Sequence, residues 1–123
     1  MKRSYTLTEL MVVLIIIGVL AILAIPLITG PREQAMDNEA KVNLKLIQAA
    51  EKIYHMEYNQ YWPAADNDAL NQNLTLSLPK ATNNNRNWNY SATSDGSVGA
   101  VRYSGSRTWN LSITESEPVK TFP

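Results

Sequence analysis

The feature that most limits how this chain can fold is an apolar run near its start. From Leu10 to Pro31 there is no Asp, Glu, Lys or Arg. At about 1.5 Å per helical residue this run is roughly 33 Å long, which is enough to cross the hydrocarbon core of a bilayer, about 30 Å thick. The first prediction is therefore a membrane-spanning helix, and a folded domain has to come from the residues that follow it.

The residues ahead of the run predict its orientation. Lys2 and Arg3 precede it, and positive charge favours the cytoplasmic side of the membrane, so we expect a single pass with the C-terminus outside. A secretory signal peptide is one alternative, but its apolar stretch is usually only about 7–15 residues long. A plain membrane anchor that carries a periplasmic domain is a second alternative, and the apolar run by itself fits it equally well.

Composition removes several classes of function. The chain has 123 residues, no cysteine, and 11 basic against 11 acidic residues, so its formal net charge is zero. No basic cluster indicates a nucleic-acid partner, and without cysteine there is no disulfide, thiolate metal site or cysteine nucleophile. Asp66 and Asp68 are spaced as in a calcium loop, but the later glutamate and the loop glycine are missing. We predict no enzyme activity, no metal and no cofactor.

One carboxylate stands immediately ahead of the uncharged run. Glu9 is costly near lipid unless it finds a partner. One interpretation is an acid that reaches headgroup water at the membrane surface. The surrounding residues offer a second interpretation.

The stretch KRSYTLTELMVV around Glu9 resembles the start of type IV pilins and of the related type II secretion pseudopilins. These proteins begin with a short basic leader, which is followed by an aromatic residue, Thr-Leu-x-Glu and a long apolar helix. The resemblance implies a leader of residues 1–4, cleavage after Ser4 and N-methylation of Tyr5 as the new terminus. Thr6, Leu7 and Glu9 match the positions that follow. Ser4 departs from the family pattern, which usually has glycine before the cleaved bond.

Two further residues agree with the same register. Gly18 and Pro26 fall where the family usually has a helix-weakening glycine and proline. Proline removes a helical donor and crowds the carbonyl four residues back, and glycine raises the entropic cost of the helix. We therefore expect the stretch between them to be the weakest part of the span. A kink or a short break is predicted at Gly30-Pro31.

The resemblance implies a function by assembly. The amine of Tyr5 would pair with Glu9 of a neighbouring subunit, and because an unpaired buried charge is expensive, this pair would select the axial register. Apolar residues of the same helix would pack against other subunits: Leu7, Leu10, Val13, Leu14 and Ile17. The implied protein is a structural subunit of a type IV pilus filament, or alternatively a type II secretion pseudopilin.

The resemblance also implies partners and a location. The partners would be further copies of the chain in a helical filament, a prepilin peptidase and methylase, and an inner-membrane assembly platform with its ATPase. The precursor would reside in the bacterial inner membrane, and the assembled filament would be periplasmic or extracellular.

Hydrophobic periodicity predicts an α+β fold. A long kinked helix would have a membrane-spanning half over residues 5–31 and an amphipathic half over residues 32–60, with Asp37 and Lys41 as an i,i+4 ion pair. Two apolar rows suit a sheet on one side and neighbouring subunits on the other. The first row is Met36, Ala40, Leu44, Ile47, Ala50, Tyr54 and Tyr58, and the second is Val42, Leu46, Ala49, Ile53 and Met56.

Residues 61–123 are predicted to form a connecting loop and a small antiparallel sheet that packs on the outer half of the helix. Asn59 to Asn73 is interpreted as a polar connection. Period-two alternation predicts strands with one face on the helix and one in solvent; the apolar positions are Leu74, Leu76, Leu78, Trp88, Tyr90, Val101, Tyr103, Trp109, Leu111 and Ile113. Asp95-Gly96 and Gly105-Ser106 are hairpin signals, and the second suits a type II′ turn.

Overall fold

The computed structural model describes residues 3–121, without the side chains of residues 26–29. It confirms the α+β class, with one long N-terminal helix and a four-stranded antiparallel sheet. Residues up to 35 and residues from 36 onward form two compact units, and each is described by itself. The elements are α1 (Leu7–Tyr58), α2 (Asn67–Leu74), β1 (Trp88–Ala92), β2 (Val98–Arg102), β3 (Thr108–Leu111) and β4 (Val119–Lys120).

In the first unit α1 is apolar and exposed. Every side chain from Leu7 to Ile25 is exposed, and within the described residues α1 is the one helix whose length and apolar composition suffice to cross a bilayer. The helix continues through Gly18, Gly30 and Pro31, so the alternative of a break at Gly30-Pro31 is wrong. The side chain of Pro26, the other predicted weak position, lies outside the described residues.

In the second unit the first apolar row of α1 forms one wall of the core. Ala40, Leu44 and Ile47 are fully buried against the sheet, whereas Tyr58 at the end of the row is 56% exposed. The predicted pair of Asp37 with Lys41 is wrong. Asp37 Oδ2 instead accepts from Arg107 Nη1 at 2.8 Å, and the Lys41 ammonium lies 4.6 Å from the centre of the Trp109 ring.

The sheet has the order β1-β2-β3-β4, with every neighbouring pair antiparallel. Its inner face carries Trp88 and Tyr90 from β1 and Trp109 and Leu111 from β3, as the alternation predicts. In β2 the predicted face is wrong: Val98 and Ala100 are buried, while Val101 and Tyr103 lie on the opposite parity and are exposed. Because side chains alternate with a period of two, an error of one residue reverses the face of the whole strand.

The two predicted hairpin turns have different outcomes. Gly96 has a φ of +83°, and a Cβ at this position would lie 2.9 Å from the Tyr61 ring, so a glycine is required. Gly105 does lie in the turn between β2 and β3, but its φ is not positive. The predicted type II′ turn, which needs a positive φ at that glycine, is therefore wrong.

The predicted connection over Asn59 to Asn73 is not a loop throughout: from Asn67 it forms the helix α2, which ends at Leu74. Asp66 caps it by accepting a hydrogen bond from the Ala69 amide at 2.9 Å, and Leu70 and Leu74, one turn apart, are buried. Leu74 thus ends a helix, and the predicted strand through Leu76 and Leu78 does not form. The sequence predicted a loop here because of its high Asn and Asp content. These residues favour turns over helix interiors when they lack a specific tertiary partner.

The end of α1 is held by a buried acid. Glu51 is fully buried, and its Oε2 accepts from the Trp62 amide at 2.8 Å. Beyond the helix end, the Tyr61 ring stacks on His55 with a centroid distance of 4.4 Å. Burial raises the pKa of Glu51, and the hydrogen bond from Trp62 partly opposes this rise.

A raised pKa means that the folded chain holds the Glu51 proton more tightly than the unfolded chain does. The contribution of Glu51 to the free energy of unfolding should therefore fall as the pH rises from the ordinary carboxyl value, about 4.3, through the raised value. Glu51→Gln, which is uncharged and can still accept from the Trp62 amide, should lack this fall and be the more stable protein at neutral pH. Urea unfolding of the two detergent-solubilised proteins between pH 4 and 8 measures the difference.

Glu57→Gln is the matched control, because Glu57 is an exposed acid on the same helix. It should track the wild-type protein across the whole pH range. If the difference between Glu51→Gln and wild type does not change with pH, the pKa of Glu51 is the same in the folded and the unfolded chain and the assignment is wrong.

Candidate assembly site on the N-terminal helix

The start of α1 is a reciprocal pair of hydrogen bonds between Thr6 and Glu9. The Thr6 amide and Oγ1 donate to Glu9 Oε2 at 2.9 and 3.0 Å, and the Glu9 amide donates to Thr6 Oγ1 at 3.3 Å. This arrangement is a capping box, which satisfies donors that the first turn of a helix leaves without an intrahelical acceptor. The sequence analysis missed it, although Thr-x-x-Glu ahead of an apolar run is its signature.

The capping box uses only one oxygen of the Glu9 carboxylate. Among the residues that the structure describes, no donor reaches Glu9 Oε1. Glu9 and Tyr5 are both exposed, and Tyr5 keeps 88% of its accessible surface. The negative charge is also favourable where it stands, near the positive end of the helix dipole. The site therefore presents an anchored carboxylate with one oxygen open to an outside donor.

Apolar side chains surround this carboxylate. A surface depression of about 390 Å³ is lined by Tyr5, Thr8, Glu9, Val12 and Val13. The predicted packing residues continue the apolar surface along the helix, and each keeps half or more of its accessible area: Leu7 75%, Leu10 59%, Val13 50%, Leu14 60% and Ile17 57%. An exposed apolar surface of this extent indicates contact with lipid or with another chain.

The predicted cleavage position lies outside the regular helix. Ser4 and Tyr5 precede Leu7, where α1 begins, and both are exposed. Their peptide bond is therefore accessible in the described chain. Gly18 has open space around it, because a Cβ there would meet no atom within 4 Å. The structure thus gives no packing reason for that glycine within one chain.

Comparison with known proteins indicates the class of protein to which this chain is similar. Residues 1–25 match the family described as the prokaryotic N-terminal methylation motif. The chain is 42% identical over 60 residues to the type IV major pilin protein PilA of Myxococcus xanthus, a match covering 49% of this chain and 27% of that protein. No solved structure is significantly similar to this chain.

Type II secretion system core protein G of two organisms matches over a longer stretch. The protein from Pseudomonas aeruginosa is 36% identical over 90 residues, which is 72% of this chain and 59% of that protein. The protein from Escherichia coli is 34% identical over 87 residues, which is 69% of this chain and 59% of that protein. The matched regions thus span between about a quarter and three fifths of these relatives.

The chain therefore has a prepilin-type N-terminus, and its homologues are type IV pilins and type II secretion pseudopilins. This confirms the resemblance found in the sequence. The names of these relatives describe pilus and secretion-system proteins rather than enzymes. Cleavage after Ser4, methylation of Tyr5 and pairing of Glu9 between subunits stay predictions.

Proposed function

We propose that this chain is a structural subunit of a type IV pilus filament. The precursor is cleaved between Ser4 and Tyr5, methylated at Tyr5, and assembled through its N-terminal helix. The observation that carries the proposal is the open oxygen of Glu9, held in place by Thr6 and surrounded by exposed apolar residues. A carboxylate so placed suits the amine that cleavage would create on the next subunit.

The physical mechanism is an exchange of environments. In the membrane the apolar surface of α1 contacts lipid, and in the filament it contacts the helices of other subunits. Two charges leave water when the Tyr5 amine meets Glu9 of a neighbour, and this is tolerable only when they pair with good geometry. The pair therefore acts mainly on register, because wrong axial offsets leave both charges unpaired.

The proposal implies partners and two locations. A prepilin peptidase and methylase process the precursor in the bacterial inner membrane, and an assembly platform with its ATPase extracts the subunit. Further copies of the chain are its partners in the filament. The long apolar helix supports the membrane stage of this cycle.

A second candidate is a subunit of a type II secretion pseudopilus. It is favoured by the extent of the matches, since the core protein G of two organisms aligns with 72% and 69% of this chain, against 49% for the pilin relative. Deleting the gene separates the two candidates. Loss of surface fibres with normal protein secretion supports the pilin, and retention of exoproteins in the periplasm supports the pseudopilin.

The first test is the intact mass of the native protein. We expect a chain that begins at Tyr5 and carries one added methyl group. Ser4→Gly should be processed at least as fully as wild type, whereas Ser4→Leu should remain uncleaved because its side chain is too large for a subsite that accepts small residues. Native protein with an intact leader would instead support a single-pass anchor with a periplasmic domain.

A further inference from the structure

A groove on the second unit lies between the last turns of α1 and the end of α2. Its volume is about 440 Å³, which is within the usual range for a small-molecule site, about 300–1,000 Å³. It has an aromatic wall from α1 and a polar wall, and the side chains that form these walls are Tyr54, Glu57, Tyr58, Gln72, Asn73 and Thr75. The groove is separate from the candidate assembly site, which belongs to the first unit.

The aromatic wall is held in place by the core. Tyr54 and Tyr58 are one helical turn apart, and their ring centroids lie 4.5 Å apart with 32° between the ring planes. Tyr54 packs against the core and meets the Trp62 ring at 65°, with 5.8 Å between the centroids. Tyr58 rests on Tyr54 and is still 56% exposed. The wall therefore offers a supported aromatic ring as a contact surface for a ligand.

The polar groups of the groove are little used by the fold. Within the described residues, Glu57 forms no ion pair, and neither Glu57 nor Gln72 forms a side-chain hydrogen bond. Asn73 Nδ2 donates to the Ala69 carbonyl at 3.1 Å, and its Oδ1 accepts from no described residue. Hydrogen-bond donors and acceptors are thus both available beside the aromatic ring.

Thr75 is a second indication that the polar wall has a use. It follows α2 with a φ of 55° and a ψ of 41°, in the left-handed region, where glycine is the usual residue at a helix end. A β-branched residue rarely adopts this conformation, and such strain is concentrated at functional sites. The Thr75 hydroxyl forms no hydrogen bond with any other described residue, so the described fold gives no hydrogen bond in return for the strain.

The chemistry of the two walls selects the class of ligand. Among the described residues no cationic side chain lines the groove, which disfavours an anion. A wholly apolar ligand would leave the carboxylate and the amides unpaired. A quaternary ammonium is best held by a cage of several aromatic rings, whereas Tyr54 and Tyr58 lean on each other. A pyranose ring has an apolar C–H face and a rim of hydroxyls, and these match the tyrosine ring and the polar wall.

We propose that this groove binds a neutral saccharide of β-1,4-linked pyranose units. One sugar ring stacks its C–H face on Tyr58, and its hydroxyls form hydrogen bonds with Glu57, Gln72 and Thr75. Equatorial hydroxyls and a β-1,4 linkage leave the C–H faces free, which such stacking requires. The inference goes beyond the proposed function and does not rest on it, because the groove lies entirely within the second unit.

Saturation-transfer NMR of the ligand tests the proposal on the full-length protein, solubilised in a polyoxyethylene detergent because this detergent carries no sugar. The probes are cellotriose and tri-N-acetylchitotriose, which share the β-1,4-pyranose backbone and differ in the substituent at the second carbon. We expect saturation of at least one of them, strongest on the ring protons of one face, because that face lies on Tyr58. The probe with the stronger signal identifies the preferred substituent.

Substitutions of tyrosine locate the site. Tyr58→Ala should raise the dissociation constant at least about tenfold, whereas Tyr58→Phe keeps the ring and should raise it less than about threefold. Tyr103→Ala is the matched control, because Tyr103 is also a partly exposed tyrosine of the second unit (40%) and does not line the groove. It should bind the trisaccharide as the wild-type protein does.

Thr75→Gly separates binding from folding. Glycine adopts the left-handed conformation without strain, so the variant should be at least as stable to urea as the wild-type protein. It lacks the hydroxyl, and its dissociation constant for the trisaccharide should be at least about fivefold higher. A residue with only a structural role would not lose binding while stability is kept.

Three results would overturn the proposal. The first is no saturation of either trisaccharide at about 10 mM, and the second is equal binding by Tyr58→Ala and the wild-type protein. The third is saturation of choline with no saturation of either trisaccharide, which would indicate a cation site on the tyrosine ring. None of these results affects leader cleavage or fibre yield, which test the proposed function.

Discussion

Glu9→Gln is expected to lower the yield of sheared fibres at least about tenfold while leaving the amount of protein in the membrane unchanged. Glutamine is as good as glutamate at this position of a capping box, so the hydrogen bonds with Thr6 can persist. The variant lacks the negative charge that would meet the amine of the neighbouring subunit, and an uncompensated buried charge costs about 3–5 kcal/mol. Quantitative immunoblots of the sheared and membrane fractions measure both amounts.

Thr6→Ala is the matched control for Glu9→Gln. It removes the capping partner and keeps the charge, and loss of a helix cap costs about 0.5–2 kcal/mol, so its fibre yield should fall less. Glu9→Ala removes both interactions and should be at least as defective as Glu9→Gln. If Thr6→Ala is the more severe variant, the cap rather than the charge controls assembly. Wild-type fibre yield in Glu9→Gln would refute the ionic contact.

Asn67→Ala should lower the free energy of unfolding of the second unit by about 3 kcal/mol or more. Asn67 is 1% exposed; its Oδ1 accepts from the Tyr90 amide at 2.6 Å, and its Nδ2 donates to the carbonyls of Pro79 and Trp88 at 2.8 and 3.2 Å. Alanine would leave these backbone groups unpaired in the interior, at about 1–3 kcal/mol for each. Urea unfolding of the detergent-solubilised protein, followed by tryptophan fluorescence, measures the change.

Asn73→Ala is the control for this measurement, because it makes the same substitution on the same helix. The Asn73 side chain is exposed and donates one hydrogen bond, to the Ala69 carbonyl one turn back. Its removal should change stability by no more than about 0.5 kcal/mol. Equal effects of the two substitutions would mean that the loss comes from α2 propensity and not from the contacts of Asn67 with β1.

Asn67 also protects one edge of the sheet, that of β1. β1 is an edge strand, and unpaired edges invite pairing with other chains. Asn67 occupies the amide of Tyr90 and the carbonyl of Trp88, and Ala64 pairs with Ala92 through two backbone hydrogen bonds. These contacts occupy backbone groups of β1 within the chain and so disfavour the addition of a strand from another chain at this edge.

Several features followed from the sequence because they depend on local pattern. The uncharged run predicted α1, period-two alternation predicted β1 and β3, and Asp95-Gly96 predicted the first hairpin turn. The candidate assembly site could also be proposed from the sequence, since Ser4, Tyr5 and Glu9 belong to one short motif. The capping box also depends on a local pattern, since Thr6 and Glu9 form the Thr-x-x-Glu signature ahead of an apolar run.

The tertiary structure decided what depended on distant partners. Asp37 pairs with Arg107 and not with Lys41, because folding brings the start of β3 to the helix. α2 forms from a stretch rich in Asn and Asp because the side chain of Asn67 hydrogen-bonds to the edge of β1 and Leu70 is buried in the core. The inward face of β2 is set by its register with β1 and β3, since residues of either parity in this strand include apolar side chains.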